Sequence, residues 1–90
     1  MQSIPAAHKC RTAILAALTQ LGGEAQRTEI VALAERIGHF SHAERTSVAP
    51  PSKPQYATYL AYNLSWAITH LHKQGTIINV ARGTWRLRNA

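Results

Sequence analysis

Ninety residues are enough for one compact domain and too few for two, and 46% of them are hydrophobic, which is typical of a chain that builds a core. Ten Lys and Arg residues against four acidic residues give a formal net charge of +6, which favours a polyanionic partner. The absence of Asp removes the residue on which most Mg²⁺-dependent phosphodiester chemistry relies, and no apolar run is long enough to cross a membrane.

The first half of the chain predicts two helices. Residues 6–21 form the first, because apolar side chains recur on one helical face, namely Ala7, Cys10, Ile14, Ala17, Leu18 and Leu21. Residues 28–38 form the second helix, with Thr28 as its N-cap and Gly38 as its end. Between the helices, residues 24–26 are too short for an independent strand but can add one rung to a sheet formed elsewhere.

The middle of the chain predicts an irregular connection followed by a long helix. Ser41 and Glu44 have the S-x-x-E spacing of a capping box, so we expect one short helical turn over residues 41–46. The proline-rich residues 50–54 are stiff and extended. The long helix is predicted over residues 55–74. Opposite its apolar face lie Tyr59, Tyr62, Trp66, Thr69 and Lys73.

The last part of the chain predicts a β-hairpin over residues 76–88 that turns around Arg82. Alternation in the second strand places Trp85 and Leu87 on one face and two arginines on the other. Three helices followed by a basic hairpin are the order of elements in a winged helix-turn-helix. We therefore predict a fold that is mainly α with a small β-hairpin, in one winged-helix domain over residues 1–90.

The charge is divided unevenly along the chain. All four acidic residues lie before residue 45, where four basic residues balance them, so the net charge of +6 falls on residues 45–90. In a helix-turn-helix protein the later helix reads base edges in the major groove, and flanking elements hold phosphates. We therefore predict that residues 55–74 read duplex DNA, while the hairpin, as a wing, grips the backbone or a minor groove. The predicted contact residues are Lys53, Gln55, Tyr56, Thr58, Tyr59, Tyr62, Asn63, Lys73, Arg82, Arg86 and Arg88.

Packing is the alternative interpretation of the aromatic residues. Tyr56, Tyr59 and Tyr62 can equally pack on the hairpin or on the long loop, with their hydroxyl groups in water. Trp66 is predicted to be a packing residue, because a large indole in the middle of a helix usually has that role.

The sequence predicts neither catalysis nor a cofactor. The histidine pairs at 39 and 42 and at 70 and 72 have no accompanying C-x-x-C motif, so they do not predict a metal site. Cys10 lies on an apolar helix face and is interpreted as a small core residue. No Asp is present to orient a catalytic serine and histidine pair. A single cysteine and no secretory leader favour the cytoplasm, where we expect association with the nucleoid.

Several segments together form a recognisable pattern, namely residues 21–25 and 29–31, Asn63-Leu64-Ser65-Trp66-Ala67, Leu71-His72-Lys73-Gln74-Gly75 and Arg82-Gly83-Thr84-Trp85-Arg86-Leu87. In their order and spacing they resemble the N-terminal winged-helix domain of Mrr-type restriction proteins. The resemblance spans residues 12–88. It implies a DNA-binding module that in Mrr-like proteins usually precedes a nuclease domain and directs it to modified DNA. It also implies structural roles for Trp66 and Trp85.

Competing functions stay open at this point. The 90 residues contain no nuclease domain, so the chain is either a reader separated from one or a stand-alone protein such as a transcriptional regulator. Winged helices also serve as protein-interaction or dimerisation modules. In that case Tyr59, Tyr62 and Trp66 would form the contact. The predicted partners are therefore double-stranded DNA, a nuclease domain or subunit and a second copy of the chain, but not a membrane.

Overall fold

A computed structural model describes residues 5–88, which form four helices and three strands. In chain order these are α1 (Ala7–Gln20), β1 (Glu24–Gln26), α2 (Arg27–Ile37), α3 (His42–Thr46), α4 (Tyr59–Lys73), β2 (Ile77–Ala81) and β3 (Thr84–Leu87). The predicted fold class is confirmed, because the chain is mainly helical with a small antiparallel sheet, an arrangement compatible with a winged helix. Within the described range, no helix is both long enough and apolar enough to cross a membrane.

The sheet has three strands, with β3 in the centre between β1 and β2. The predicted rung at residues 24–26 is confirmed as β1, which pairs antiparallel with β3 and sets Ala25 opposite Trp85. β2 and β3 form the predicted hairpin, with Arg82 and Gly83 as the turn between the paired ends of the strands. Gly83 has φ +74°, a conformation that glycine adopts without steric cost. We call the hairpin, residues 77–87, the wing.

The core lies between α1, α2 and α4 and the inner face of the sheet. The largest side chains with almost no exposed surface are Ile14, Leu18, Ile30, Leu60, Leu64, Ile68 and Ile77. Trp85 is 9% exposed and joins this core from β3, which confirms its structural role. In α1 one predicted inward residue is wrong, because Ala7 is exposed where it lines an open cleft between α1 and α4. Ala13 is buried in the face instead.

The start of α2 differs from the prediction. The helix begins at Arg27, with Gln26 rather than Thr28 in the N-cap position. Pairing of β1 with β3 holds Gln26 in an extended conformation, so the chain passes directly from strand to helix. The Glu29 carboxylate accepts a hydrogen bond from the Gln26 N–H at 3.3 Å, and the Gly83 carbonyl in the wing accepts one from the Arg27 N–H at 2.8 Å. The first turn is therefore capped partly by the wing.

The long helix also begins later than predicted, at Tyr59 instead of residue 55. Thr58 is extended, with φ −134° and ψ 160°, and its hydroxyl oxygen accepts a hydrogen bond from the Ala61 N–H at 3.1 Å. An isolated bridge to Val48 and a 2.9 Å hydrogen bond from the Tyr59 N–H to the Ser47 carbonyl hold this segment. Thr58 is consequently the N-cap, and residues 55–57 belong to the preceding loop.

The short helical turn predicted at residues 41–46 is confirmed as α3. The Ser41 hydroxyl oxygen accepts a hydrogen bond from the Glu44 N–H at 3.1 Å, and the Glu44 carboxylate accepts one from the Ser41 N–H at 2.8 Å. Both bonds join residues three apart, so the sequence pattern was sufficient to find them.

Candidate nucleic-acid interface

The outer face of α4 is aromatic and open to solvent. We use this name for Tyr59, Tyr62, Trp66, Thr69 and Lys73, which lie opposite the buried leucines of the helix. The prediction that Trp66 packs inside the fold is wrong, because its side chain is 53% exposed. The physical reason is its position on the helix, since residues 60, 64, 67, 68 and 71 already fill the side that meets the core. A large indole therefore projects from the middle of α4.

The three tyrosines and Trp66 form one cluster of edge-to-face rings. The Tyr62 ring lies at its centre, with ring centroids at 5.4 Å from Tyr56, 5.8 Å from Tyr59 and 6.4 Å from Trp66. Tyr56 therefore folds back onto the helix although it precedes it in the chain. The three tyrosines are half-buried and their rings contact one another, so packing and an accessible ring surface coexist at each of them.

Arg27 is the residue that sequence reasoning missed. From the first turn of α2 its guanidinium reaches α4, where Nη2 donates a 2.9 Å hydrogen bond to the Ser65 carbonyl. Its Cζ also lies 5.9 Å from the centre of the Trp85 ring. A cation in the first turn of a helix opposes the helix dipole, and that was the one local signal of a special role. Because the charges of residues 1–44 sum to zero, the distribution of charge along the chain gave no indication of a role for Arg27.

Arg27 lies in a cleft of about 210 Å³ beside the outer face of α4. The residues that line it are Arg27, Lys53, Gln55, Tyr56, Tyr62, Ser65, Trp66 and Thr69. We call it the Arg27 cleft. It has two cations, aromatic walls and no acidic side chain, a combination suited to phosphate groups and to the flat faces of bases. Four predicted contact residues, Lys53, Gln55, Tyr56 and Tyr62, meet here.

The wing tip adjoins this cleft. The backbone hydrogen bond from Arg27 to Gly83 connects the tip to α2, and the Arg27 side chain continues from there to α4. Arg82 is exposed in the turn next to Gly83. The Asn79 amide braces the turn by donating hydrogen bonds to the carbonyls of Ala81 at 2.7 Å and Thr84 at 2.9 Å. Arg82 is therefore presented on a supported loop.

Arg86 in the wing and Arg88, the residue that follows it, are less free than the alternation of the strand suggested. Arg86 lies on the central strand, directly between Glu24 of β1 and Ile78 of β2, and it is half-buried. The hairpin itself contains no acidic residue, but the sheet sets Glu24 of β1 directly opposite Arg86. The Arg88 guanidinium donates a 3.3 Å hydrogen bond to the Gly75 carbonyl. The most accessible charge of the wing is that of Arg82.

Three more predicted contact residues lie apart from the Arg27 cleft. The Asn63 amide donates a 3.3 Å hydrogen bond to the Pro5 carbonyl, which directs it toward the start of α1. Thr58 uses its hydroxyl oxygen to cap α4. Lys73 is exposed in the last turn of α4, about 20 Å along the helix axis from Tyr59.

One of the six positive charges in residues 45–90 is internal. Arg45 is half-buried, and its guanidinium donates hydrogen bonds to three carbonyl groups, those of Phe40 at 3.2 Å, Gly38 at 2.9 Å and Glu35. The last two carbonyls belong to the end of α2 and its C-cap, where a cation is favourable. Arg45 therefore closes α2 and contributes to the fold, not to the outer face of α4.

The shifted pKa values belong to groups that are neither in the lining of the Arg27 cleft nor on the outer face of α4. Hydrogen bonds from the Ser41 backbone and from Lys9, whose Nζ lies 3.2 Å from the carboxylate, lower the pKa of Glu44. Burial raises the pKa of Glu35, against an opposing effect of Arg45, and burial raises the pKa of the Cys10 thiol to about 11. Among residues 5–88, no group of three or more potential metal-ligating side chains is arranged to hold an ion.

A family model described as the Mrr N-terminal domain matches residues 8–90. No curated protein and no solved structure matches the chain.

Proposed function

Because the chain belongs to the Mrr N-terminal domain family, we propose that it is a non-catalytic module that binds duplex DNA in a restriction-system protein. The observation that carries this proposal is the Arg27 cleft, where α2, the loop before α4 and α4 itself combine two cations with an aromatic wall. The net charge of +6 and the order of the elements support it.

In the proposed complex the outer face of α4 enters the major groove, which is about as wide as a helix. Gln55, Tyr62 and Trp66 then face base edges, and Gln55 is the side chain suited to pair with adenine. Arg27 and Lys53 hold phosphates on one side of the helix. Arg82, on the tip of the wing, reaches a phosphate or a minor groove.

The exposed indole of Trp66 favours a base with an apolar substituent. Methyl groups on pyrimidine C5 project into the major groove, where apolar side chains contact them. An indole that is 53% exposed on the reading helix offers such a contact, with Tyr62 at its edge. We therefore propose selectivity for duplexes that carry methylated bases. The partner of this module is a nuclease domain or subunit, and its place of action is the cytoplasmic nucleoid.

The first test is the salt dependence of binding. Fluorescence anisotropy on labelled mixed-sequence duplexes is expected to show affinity that falls steeply with salt concentration. In a plot of log affinity against log salt concentration the slope is about −0.9 for each phosphate neutralised, and we call its magnitude the salt slope. Arg82→Ala is expected to reduce that slope by about 1. Arg36→Ala is the matched control, because Arg36 is exposed in the last turn of α2, at the other end of that helix from the wing tip. Absence of salt-sensitive binding in dilute buffer would refute the proposal.

The second test compares matched duplexes with and without methylated cytosine or adenine. Trp66→Ala is expected to remove the preference for the methylated duplex while the salt slope stays unchanged, because the indole carries no charge. Equal affinity of the wild-type protein for all duplexes would leave DNA binding in place and refute selectivity for methylation.

Protein association is a second candidate function, favoured by the same exposed ring of Trp66. A large uncovered aromatic side chain is typical of interface centres. Light scattering of the wild-type protein and of Tyr62→Ala distinguishes the two functions. A dimer that Tyr62→Ala dissociates without loss of DNA affinity would assign the outer face of α4 to association.

A further inference from the structure

The outer face of α4 has a second cleft on its other side. This cleft, of about 320 Å³, lies between the start of α1 and the middle and later turns of α4, and we call it the Arg11 cleft. Its lining includes Arg11 from α1 and Asn63, Trp66 and His70 from α4. Residues 63, 66 and 70 are spaced by three and four, so they follow one stripe of the helix. No acidic side chain lines the cleft.

Trp66 lines both clefts. Its indole is therefore the ridge between them, with Arg27 and Lys53 on one side and Arg11 on the other. The Asn63 hydrogen bond to the Pro5 carbonyl fixes the start of α1 against α4, so the position of Arg11 relative to the ridge is determined by the fold. Arg11 is half-buried and supplies the positive charge of the cleft.

A helix that lies in a major groove has a phosphate backbone on each side of it, because the groove is only about as wide as the helix. A protein with cations on one side alone would hold one strand and leave the other uncompensated. Here the two clefts are separated by the ridge that would point at the bases, and each contains a cation without an acid. The arrangement of charge therefore matches that of the two strands.

We propose that the Arg11 cleft is a second phosphate-binding site, in which Arg11 holds the strand across the major groove from the strand held by Arg27 and Lys53. The imidazole of His70 supplies a further N–H donor to the same phosphate. This assignment rests on the proposed function. It adds α1 to the DNA-binding surface, for which the sequence predicted contact residues only between positions 53 and 88.

The test is the salt slope of duplex binding by Arg11→Ala. We expect the magnitude of the salt slope to fall by about 1. Affinity at low salt is expected to fall about tenfold, by the same factor for every duplex sequence. Arg11→Lys is expected to recover most of the slope, since it restores the charge. Arg36→Ala removes an equal charge from α2 and is expected to leave the slope unchanged. Melting temperatures of the variants confirm that each is folded.

A double variant tests whether the two clefts hold different phosphates. If they do, Arg11→Ala and Arg27→Ala together lower the slope by about 2, the sum of the single effects. A combined loss no larger than either single loss would mean one shared phosphate and would overturn the assignment to two strands.

An NMR titration of the isotope-labelled wild-type protein with duplex tests the second site without any substitution. Shifts of the Arg11 Nε–H and the His70 backbone signals support the second site, and their absence during saturable binding overturns it. An Arg11→Ala slope equal to that of Arg36→Ala likewise overturns it while DNA binding stands. If the wild-type protein shows no salt-sensitive binding, the proposed function fails first and the second site with it.

Discussion

Replacing Arg45 by methionine tests whether the positive charge of this residue stabilises the fold or binds DNA. Methionine keeps most of the aliphatic stem, so the substitution removes mainly the guanidinium. That group donates three hydrogen bonds to the carbonyls of Glu35, Gly38 and Phe40. It also lies over the Phe40 ring, with Cζ at 5.9 Å from the ring centre. The variant therefore loses the hydrogen bonds that hold the C-terminal end of α2.

The expected loss of stability follows from these contacts. A hydrogen bond to a charged group contributes about 1.5–3 kcal/mol. One cation shares three acceptors here, and water can reach some of them because Arg45 is only half-buried. We therefore expect the free energy of unfolding to fall by about 2–3 kcal/mol in total. For a domain of this size that corresponds to a melting temperature lower by at least about 8 °C.

The assay is urea unfolding followed by circular dichroism, combined with duplex binding at a temperature where the variant is folded. The salt slope of Arg45→Met is expected to equal that of the wild-type protein, because the guanidinium faces α2 and not the outer face of α4. A change in unfolding free energy below about 0.5 kcal/mol, within the range of ordinary surface substitutions, would refute the structural role. A slope reduced by about 1 would show instead that Arg45 meets a phosphate.

Three further predictions concern the cap of α4, the acid side of the stability curve and the buried thiol. Thr58→Ala is expected to lower the free energy of unfolding by about 1 kcal/mol through loss of the N-cap, while Thr58→Ser keeps it; equal unfolding midpoints for both variants would contradict this. The pKa of Glu44 is lowered in the fold from its ordinary value of 4.5, so its stabilising contribution is present above pH 4.5 and lost as the pH falls through the folded value. Glu44→Gln should therefore lose less stability between pH 5 and pH 3 than the wild-type protein, as measured by denaturant midpoints at each pH; identical pH profiles would exclude this linkage. The Cys10 thiol, 1% exposed and with a pKa raised to about 11, should react with iodoacetamide at pH 8 only as fast as the protein unfolds, and rapid labelling without denaturant would contradict its burial.

Local patterns in the sequence predicted most of the elements. The helices have the apolar periodicity of one buried face, and the S-x-x-E spacing at Ser41 is sufficient to form α3. The two wrong helix starts have a common cause. Gln26 is extended because β1 pairs with β3, and Thr58 is extended because the chain bridges to Val48. These contacts join residues distant in the chain, so no local pattern could place the helix ends there.

The candidate interface was only partly accessible to the same reasoning. The order of helices and wing indicated α4 and the turn at Arg82, and both lie at the surface. Trp66 was misassigned because residue type outweighed its position on the helix, although the apolar face of α4 was complete without it. Arg27 and Arg11 were missed because their charges are balanced along the chain by acids that do not line the two clefts.

The sequence by itself determined the fold class, the excess of positive charge and the absence of Asp, because periodicity and composition do not depend on how the elements meet. Only the tertiary structure decided which charges are available to a partner. In the folded chain the Arg45 guanidinium donates a hydrogen bond to the C-cap of α2, and Glu24 lies opposite Arg86 in the sheet. The Arg27 guanidinium donates a hydrogen bond to the Ser65 carbonyl, 38 residues away. A charge counted along the chain has no direction, whereas its effect on a ligand depends on the carbonyls, carboxylates and rings that surround it once the chain has folded.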